Sequence, residues 1–358
     1  MDVGVLLIFQ NYQGRGSDAR MIADQMELAV LAETLGYDKL WPPEHHFTDY
    51  SACPDNIEFL AWLAGRTSRI RLATGAVIVP WNDPLRVAER IVLLDHLSNG
   101  RAVLGLGRGL ARVEYRSFGI EMAESRARFD EAARMIVDAV EKGWIEGDGP
   151  YYPQIRTEIR PRPLAGFRDR LYAVGMSPDS VVQAAEIGAR LMTFSQQPWE
   201  LYAQGALARY REAWTARHGT VPPAPLTGDL VFCDRDPARA EAMAMKHMTA
   251  YFLTIVHHYE LLSDHFQQLP GYQMYGDAQA AFQAVGAEVA ARTYCGVQTW
   301  GTPEQILEKL RWRRELIGDF ELALISHYGG MSVEDATGSL RLFAETVLPE
   351  VQSWGRAA

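Results

Sequence analysis

The sequence predicts a (β/α)8 barrel. Three observations carry the prediction. Short apolar, β-branched runs alternate with amphipathic helical stretches; eight such runs are present; and no second compositional zone or internal repeat interrupts them. An open, doubly wound sheet is the alternative, and the count of eight favours the barrel. VGVLLIF (3–9) reads as the first strand. Residues 19–37 read as its helix, with Asp18 as cap and Gly36 as stop. YDKLWPP (37–43) is the second strand, ended by Pro42 and Pro43, and residues 56–68 are its helix. IRLATGAVIVP (70–80) is the third strand, and residues 84–100 are its helix, with Pro84 in the first turn. RAVLGLGRG (101–109) is the fourth strand and ends in glycines. A long amphipathic stretch (125–144) and an irregular Pro- and Arg-rich segment (147–170) come next. RLYAVGMS (170–177) and RLMTFSQ (190–196) are the fifth and sixth strands, each leading into a helix. PLTGDLVFCD (225–234) is the seventh strand, with a helix over 237–262. After a late helix (302–316), FELALISHYGG (320–330) is the eighth strand, and 332–351 closes the chain. The connection over about 263–299 is too long for a simple loop. It reads as an insertion, either an active-site lid or an extra packing helix, within one domain spanning 1–358.

Composition narrows the function classes. With 358 residues, 48% hydrophobic and 22% charged, the chain can bury a large core. Its net charge of −10 argues against nucleic acid or an anionic membrane as partner, since both reward a basic surface. Cys53, Cys233 and Cys295 form no CxxC pair, so neither a structural zinc nor a disulfide framework is expected. That count suits a reducing cytoplasm. The chain opens on a strand-like run with no leader pattern. Its apolar runs are broken before 18 residues, so no membrane span is expected.

In such barrels the chemistry sits just beyond the carboxyl ends of the strands. GLGRGL (105–110) is not a dinucleotide fingerprint, because Leu110 stands where GxGxxG needs glycine. It reads as a glycine-lined strand exit, with Gly107 beside the single cation Arg108, a phosphate donor or else a surface arginine paired to a carboxylate. Met176, Ser177 and Ser180 follow the fifth strand, where Ser177 before Pro178 is a helix-cap pattern. Such a turn is an anion site or a plain cap. Thr74, Gly75 and Ala76 end the third strand, and the two small residues suit either a flat ligand against the backbone or a bulge. WPPEHHF (41–47) delivers Glu44, His45 and His46 on a stiff turn. Consecutive side chains of an extended segment point apart, so no metal site is expected there. His257 and His258 stand one residue apart on a helix, which also does not suit one ion. An imidazole's ordinary pKa lies near neutral, so the turn is either a proton-transfer site or merely a polar loop. Phe9, Trp41 and Trp81 are candidate walls of an apolar substrate pocket, or core.

Taken together these residues resemble the bacterial luciferase-like flavin monooxygenases. The resemblance spans most of the chain. It is densest in EHHFTDY, in RIRLATGAVIVPWNDPLRVAERIVLLDHLSNGR and in LGLGRGLARVEYRSFG, with weaker matches at GTPEQILEKL and SLRLFAETVLPEV. It implies FMN bound at the barrel mouth. Arg108, Ser177 and Ser180 match the phosphate site, and Gly75–Ala76 falls where the family has a non-proline cis peptide against the isoalloxazine. His45 matches a catalytic acid/base, and Glu44 a carboxylate near the flavin. Two positions depart from the luciferase α chain: Gly107 replaces a reactive cysteine and Met176 a glutamate. Light emission is therefore not implied, nor is a long-chain aldehyde substrate. The resemblance further implies O2 and reduced FMN as co-substrates, with a separate NAD(P)H-dependent flavin reductase and a homodimer or higher homo-oligomer. A flavin 4a-hydroperoxide would then oxidise a small apolar carbonyl or activated carbon. The rival readings are deazaflavin-dependent hydride transfer on the same fold, and a non-catalytic flavin-binding protein.

Overall fold

The computed structural model describes residues 1–269, 272 and 285–354. Its strands are β1 (Val3–Leu6), β2 (Lys39–Trp41), β3 (Arg71–Ala73), β4 (Val77–Ile78), β5 (Ala102–Gly107), β6 (Trp144–Gly147), β7 (Gln154–Glu158), β8 (Leu171–Val174), β9 (Arg190–Phe194), β10 (Leu226–Cys233), β11 (Thr299–Gly301) and β12 (Glu321–Ile325). The α-helices are α1 (Asp18–Thr34), α2 (Asn56–Ala64), α3 (Pro84–Leu97), α4 (Arg112–Ser117), α5 (Ser125–Lys142), α6 (Pro178–Glu186), α7 (Trp199–Tyr202), α8 (Ala208–His218), α9 (Pro237–His258), α10 (Ala287–Gly296), α11 (Pro303–Ile317), α12 (Val333–Thr346) and α13 (Leu348–Ser353). Eight strands pair in parallel around a closed ring, in the order β1, β2, β3, β5, β8, β9, β10, β12 and back to β1. The barrel expected from the alternation is present.

Strand periodicity divides the core into two layers. Val3, Val5, Leu7 and Phe9 pack outward against the helices, while Leu6 and Ile8 pack inside the barrel. Trp41, Tyr172, Met192, Leu226 and Ala323 fill the interior below the mouth. The floor is polar. Lys39 Nζ donates to Asp2 and Glu321, 2.6 Å from each, while Tyr172 and Arg190 also donate to Glu321.

The third strand is shorter than its apolar run. After β3 the backbone turns at Thr74–Ala76, where the Gly75–Ala76 peptide is cis, and resumes as β4. Thr74 Oγ1 pins this turn, donating to the Gly105 carbonyl and accepting the Gly105 N–H. Gly105 is required by that approach, since a Cβ there would lie 2.2 Å from the Thr74 carbonyl oxygen.

Three local readings are corrected. The cap of α1 is Ser17, whose side chain accepts the Arg20 N–H, rather than Asp18. The segment read as irregular contains β7, which forms an antiparallel hairpin with β6. The expected insertion contains α10 and a strand, β11, which pairs in parallel with β10 on the outside of the ring. Residues 270, 271 and 273–284 of that insertion lie outside the described residues, and its reading as a lid falls partly on them. No helix among the described residues is long and apolar enough to cross a membrane.

Candidate active site

A cavity of about 400 Å³ opens at the carboxyl ends of the strands. Glu44, His45, Gly75, Ala76, Gly107, Arg108, Met176 and Ser180 all border it, so four separate stretches of sequence converge as the strand-end argument requires. Much of its remaining wall is aromatic or aliphatic: Tyr50, Ile78, Phe194, Trp199, Tyr202, Tyr251, Tyr259 and Tyr294.

One side of the mouth is cationic. Arg108 leaves β5 with its guanidinium stacked on the Tyr272 ring, 4.2 Å away, and its Nη1 is buried with no hydrogen-bond partner. Arg126, in the first turn of α5, lies near enough to feel that charge. Burial first, and Arg108 second, lower its pKa. Asp179 answers it only distantly, at 3.5 Å. Two neighbouring guanidiniums with unpartnered N–H groups form a place for an anion. Next to them, Ser177 caps α6 in a reciprocal box with Ser180. Ser180 faces the cavity, whereas Ser177 is buried behind it. Arg126 was missed in the sequence because nothing local distinguishes it from any arginine on an amphipathic helix.

The same cavity has a strip of small residues. Gly75, Ala76 and Gly107 border the cavity, and a Cβ on Gly107 would meet Ile78 Cδ1 at 2.9 Å and Ala76 Cβ at 3.4 Å. A flat ligand could rest there without meeting a side chain. Met176 closes the adjoining edge, its sulfur accepting from Thr193 and Phe194.

The turn after β2 divides its three polar residues between two sides. Glu44 is buried, and its carboxylate is fully engaged by the Ile78 N–H, Trp81 Nε1, Asn82 Nδ2 and His46 Nε2 at 2.7–3.3 Å. It braces β4 and the following turn, and reaches a cofactor only as part of the wall. His46 lies on the same side, packed on Phe118 and Trp81. His45 turns the other way. Its Nδ1 lies 3.0 Å from Glu114 Oε1, its Nε2 lies 3.5 Å from the Tyr259 hydroxyl, and its ring meets those of Tyr50 and His258.

Four expected contacts are corrected. Phe9 points outward, edge-on to Phe59, because its strand parity faces the helices. Trp41 lies wholly inside the barrel against Tyr172, below the cavity. Trp81 stacks on Phe118 behind Glu44. Thr74 is fully buried and holds β3 to β5. The apolar wall is built instead by tyrosines from α9, α10 and the turn after β2.

His45, Glu114 and His258 each offer a ligand atom within 4.8 Å of the others, a spacing a metal ion would accept. Hydrogen bonding already accounts for the approach, since Glu114 holds His45 directly and His258 Nδ1 meets Thr48 Oγ1 at 3.1 Å. Burial, then the neighbouring His45 and His257, push the His258 pKa down to about 2 from an ordinary 6.5. His258 is therefore neutral in the folded protein at any ordinary pH, and protonates only on unfolding. Its contribution to stability is complete above pH 6.5 and is lost as the pH falls towards 2. His247, His265 and His327 are lowered in the same direction. Urea stability is thus expected to drop between pH 7 and pH 5. His258→Phe, which keeps a ring on Tyr50, should flatten that slope by up to about 1.4 kcal/mol per pH unit. A slope unchanged in the variant would contradict this account.

The geometry suits barrel enzymes that hold a phosphorylated planar cofactor across the strand ends. Comparison narrows that class to one family. Residues 1–319 match the luciferase-like monooxygenases, and the chain belongs to that family. Monooxygenase RslO1 from Streptomyces bottropensis overlays with a TM-score of 0.77 at 27% identity, covering 98% of this chain and 99% of that one. The oxygenating constituent of 3,6-diketocamphane monooxygenase from Pseudomonas putida, a type II Baeyer-Villiger enzyme in complex with FMN, overlays with a TM-score of 0.76 at 18% identity and coverage of 98% and 99%. An F420-dependent secondary alcohol dehydrogenase shares the fold at a TM-score of 0.73 and 16% identity, with 98% of each chain covered.

Proposed function

We propose that this chain is an FMN-dependent monooxygenase acting on a neutral, largely apolar small molecule bearing a carbonyl or an activated carbon. The observation that carries the reading is Arg108, with an unpartnered buried N–H and Arg126 close behind it, on a cavity that Ser180, Gly75, Ala76 and Gly107 also border. The arginines and the α6 turn would take a single terminal phosphate, and the small residues would take the ring. When bound and reduced, the flavin supplies the electrons that activate O2. The protein's own part is threefold. The arginines anchor and orient. The aromatic wall excludes water and receives an apolar substrate. His45 accepts or returns a proton at Nε2 next to Tyr259. Among the described residues bordering the cavity Arg108 is the single Lys or Arg, and it is assigned to the phosphate, so the wall favours an uncharged substrate over a carboxylate or sulfonate. In this reading reduced flavin arrives from a separate reductase and the enzyme works as a homo-oligomer.

Arg108→Ala is expected to weaken reduced-FMN binding about 100-fold, the loss of one or two charge-assisted hydrogen bonds. Anaerobic fluorescence titration measures it, and affinity within threefold of wild type would remove the phosphate assignment. The same titration with a deazaflavin cofactor, followed by an oxygen electrode and a panel of ketones, separates oxygenation from hydride transfer. Oxygen uptake matched to an oxygenated product is the expected result.

A further inference from the structure

We infer that Glu114 is the positioning residue of a carboxylate–imidazole pair, holding the Nδ1–H of His45 so that its Nε2 lone pair is presented to the cavity. Three observations carry this. First, Glu114 Oε1 accepts the backbone N–H of His46 at 2.9 Å, which assigns that oxygen as an acceptor. His45 Nδ1, 3.0 Å from the same atom, is then the donor, and Nε2 is left as the base. Second, Nε2 faces the Tyr259 hydroxyl, and both residues border the cavity. Third, Glu114 is 1% exposed and its Oε2 is buried with no partner. A loop brace needs one acceptor. A buried carboxylate with a bare oxygen is a costly way to provide it, and such groups are retained where charge is used.

The groups facing His45 come from three elements. Glu114 comes from α4, Tyr50 from the turn after β2, His258 from the end of α9, and Tyr259 from the residue beyond it. His258 is neutral, and burial pushes the Tyr50 hydroxyl far above the neutral range. Glu44 and His46 turn to the opposite side of the segment. Glu114 is thus the one anion in contact with the ring among the described residues. When Nε2 takes a proton from a bound O–H group, that proton stays on Nε2 and the Nδ1–H stays on nitrogen. The resulting imidazolium lies against the Glu114 carboxylate, which takes up no proton. The inference rests on the reading of His45 as the proton carrier.

The test uses protein labelled with 15N-histidine, without cofactor, followed by NMR from pH 5 to 9. In the wild type, neutral His45 is expected to be protonated at Nδ1. Glu114→Gln keeps an oxygen for both N–H groups and removes the charge. It is expected to lower the His45 midpoint by about 1–3 pH units, because an opposite charge at hydrogen-bond distance favours the protonated ring. In the loaded enzyme the acid limb of the kcat profile should move down by the same amount, with KM held. Glu114→Asp keeps the charge but withdraws it by one methylene, and should give an intermediate midpoint; it also serves if the glutamine variant does not fold. A His45 midpoint unmoved in both variants overturns the inference, whatever turnover does. Full turnover in a His45 variant would instead remove the proton-carrier reading and leave the pair itself intact.

Discussion

His45→Ala is expected to cut turnover by a factor of about 10²–10⁴ at pH 7, the usual contribution of a positioned general acid or base. Reduced-flavin affinity should stay within a few-fold of wild type, because the phosphate contacts proposed above are made by other residues. Single-turnover measurement with reduced FMN and an accepted substrate separates the two effects. The size of the loss follows from the site's composition. Glu44 has no free lone pair towards the cavity, since four donors converge on it. His258 is held neutral by burial and bonded through Nδ1 to Thr48. Burial raises the Tyr50 and Tyr251 hydroxyls well above neutral pH, and they are bonded to each other. His45 is left as the imidazole at the wall whose Nε2 faces the cavity, next to Tyr259. A variant that turned over at the wild-type rate would remove it from the mechanism.

Lys39→Met is expected to cost about 3 kcal/mol or more of unfolding free energy, because removing one partner of a buried ion pair leaves the other uncompensated. Lys39 is almost wholly buried at the barrel floor. Burial alone would lower its pKa, but Glu321, Tyr172 and Asp2 outweigh it and the pKa is raised. Without Lys39, Glu321 keeps only the Tyr172 hydroxyl and the partly exposed Arg190. The double variant Lys39→Met, Glu321→Met should recover much of the loss, since an apolar floor of similar volume needs no compensation. Urea unfolding of both proteins checks this; a single variant that loses under 1 kcal/mol would show the floor to be solvated. The floor lies below Trp41, so flavin binding should be unaffected in whatever fraction stays folded.

The elements of the barrel were legible because each depends on short-range pattern. Eight apolar runs of period two, each followed by a helix, require a sheet covered on its outer face, and the closed ring is how this chain provides it. The proposed anion site was half legible. Arg108 sits on a glycine-flanked strand exit and Ser180 in the first turn of a helix, both local signatures. Arg126 carries no such signature, and its meaning comes from the electrostatic neighbourhood of Arg108 alone.

The aromatic wall was misread for a physical reason. Phe9, Trp41 and Trp81 stand at strand ends, yet strand parity turns Phe9 outward, depth puts Trp41 under the mouth, and a hydrogen bond to Glu44 holds Trp81 behind the turn. A position one residue along would have faced the other way, and no composition signal records that choice.

By itself, then, the sequence determined the barrel, the end of it at which the cavity opens, and His45, Arg108, Ser180 and the Gly75–Ala76 step as bordering that end. All of these follow from local propensity and from the rule that loops after parallel strands share one face. Only the tertiary structure decided which atoms meet. Glu114 is 69 positions from His45 and belongs to a different element, yet packing brings its carboxylate to 3.0 Å from the ring. Contacts of that kind depend on how whole elements are stacked, and a linear pattern does not carry that information.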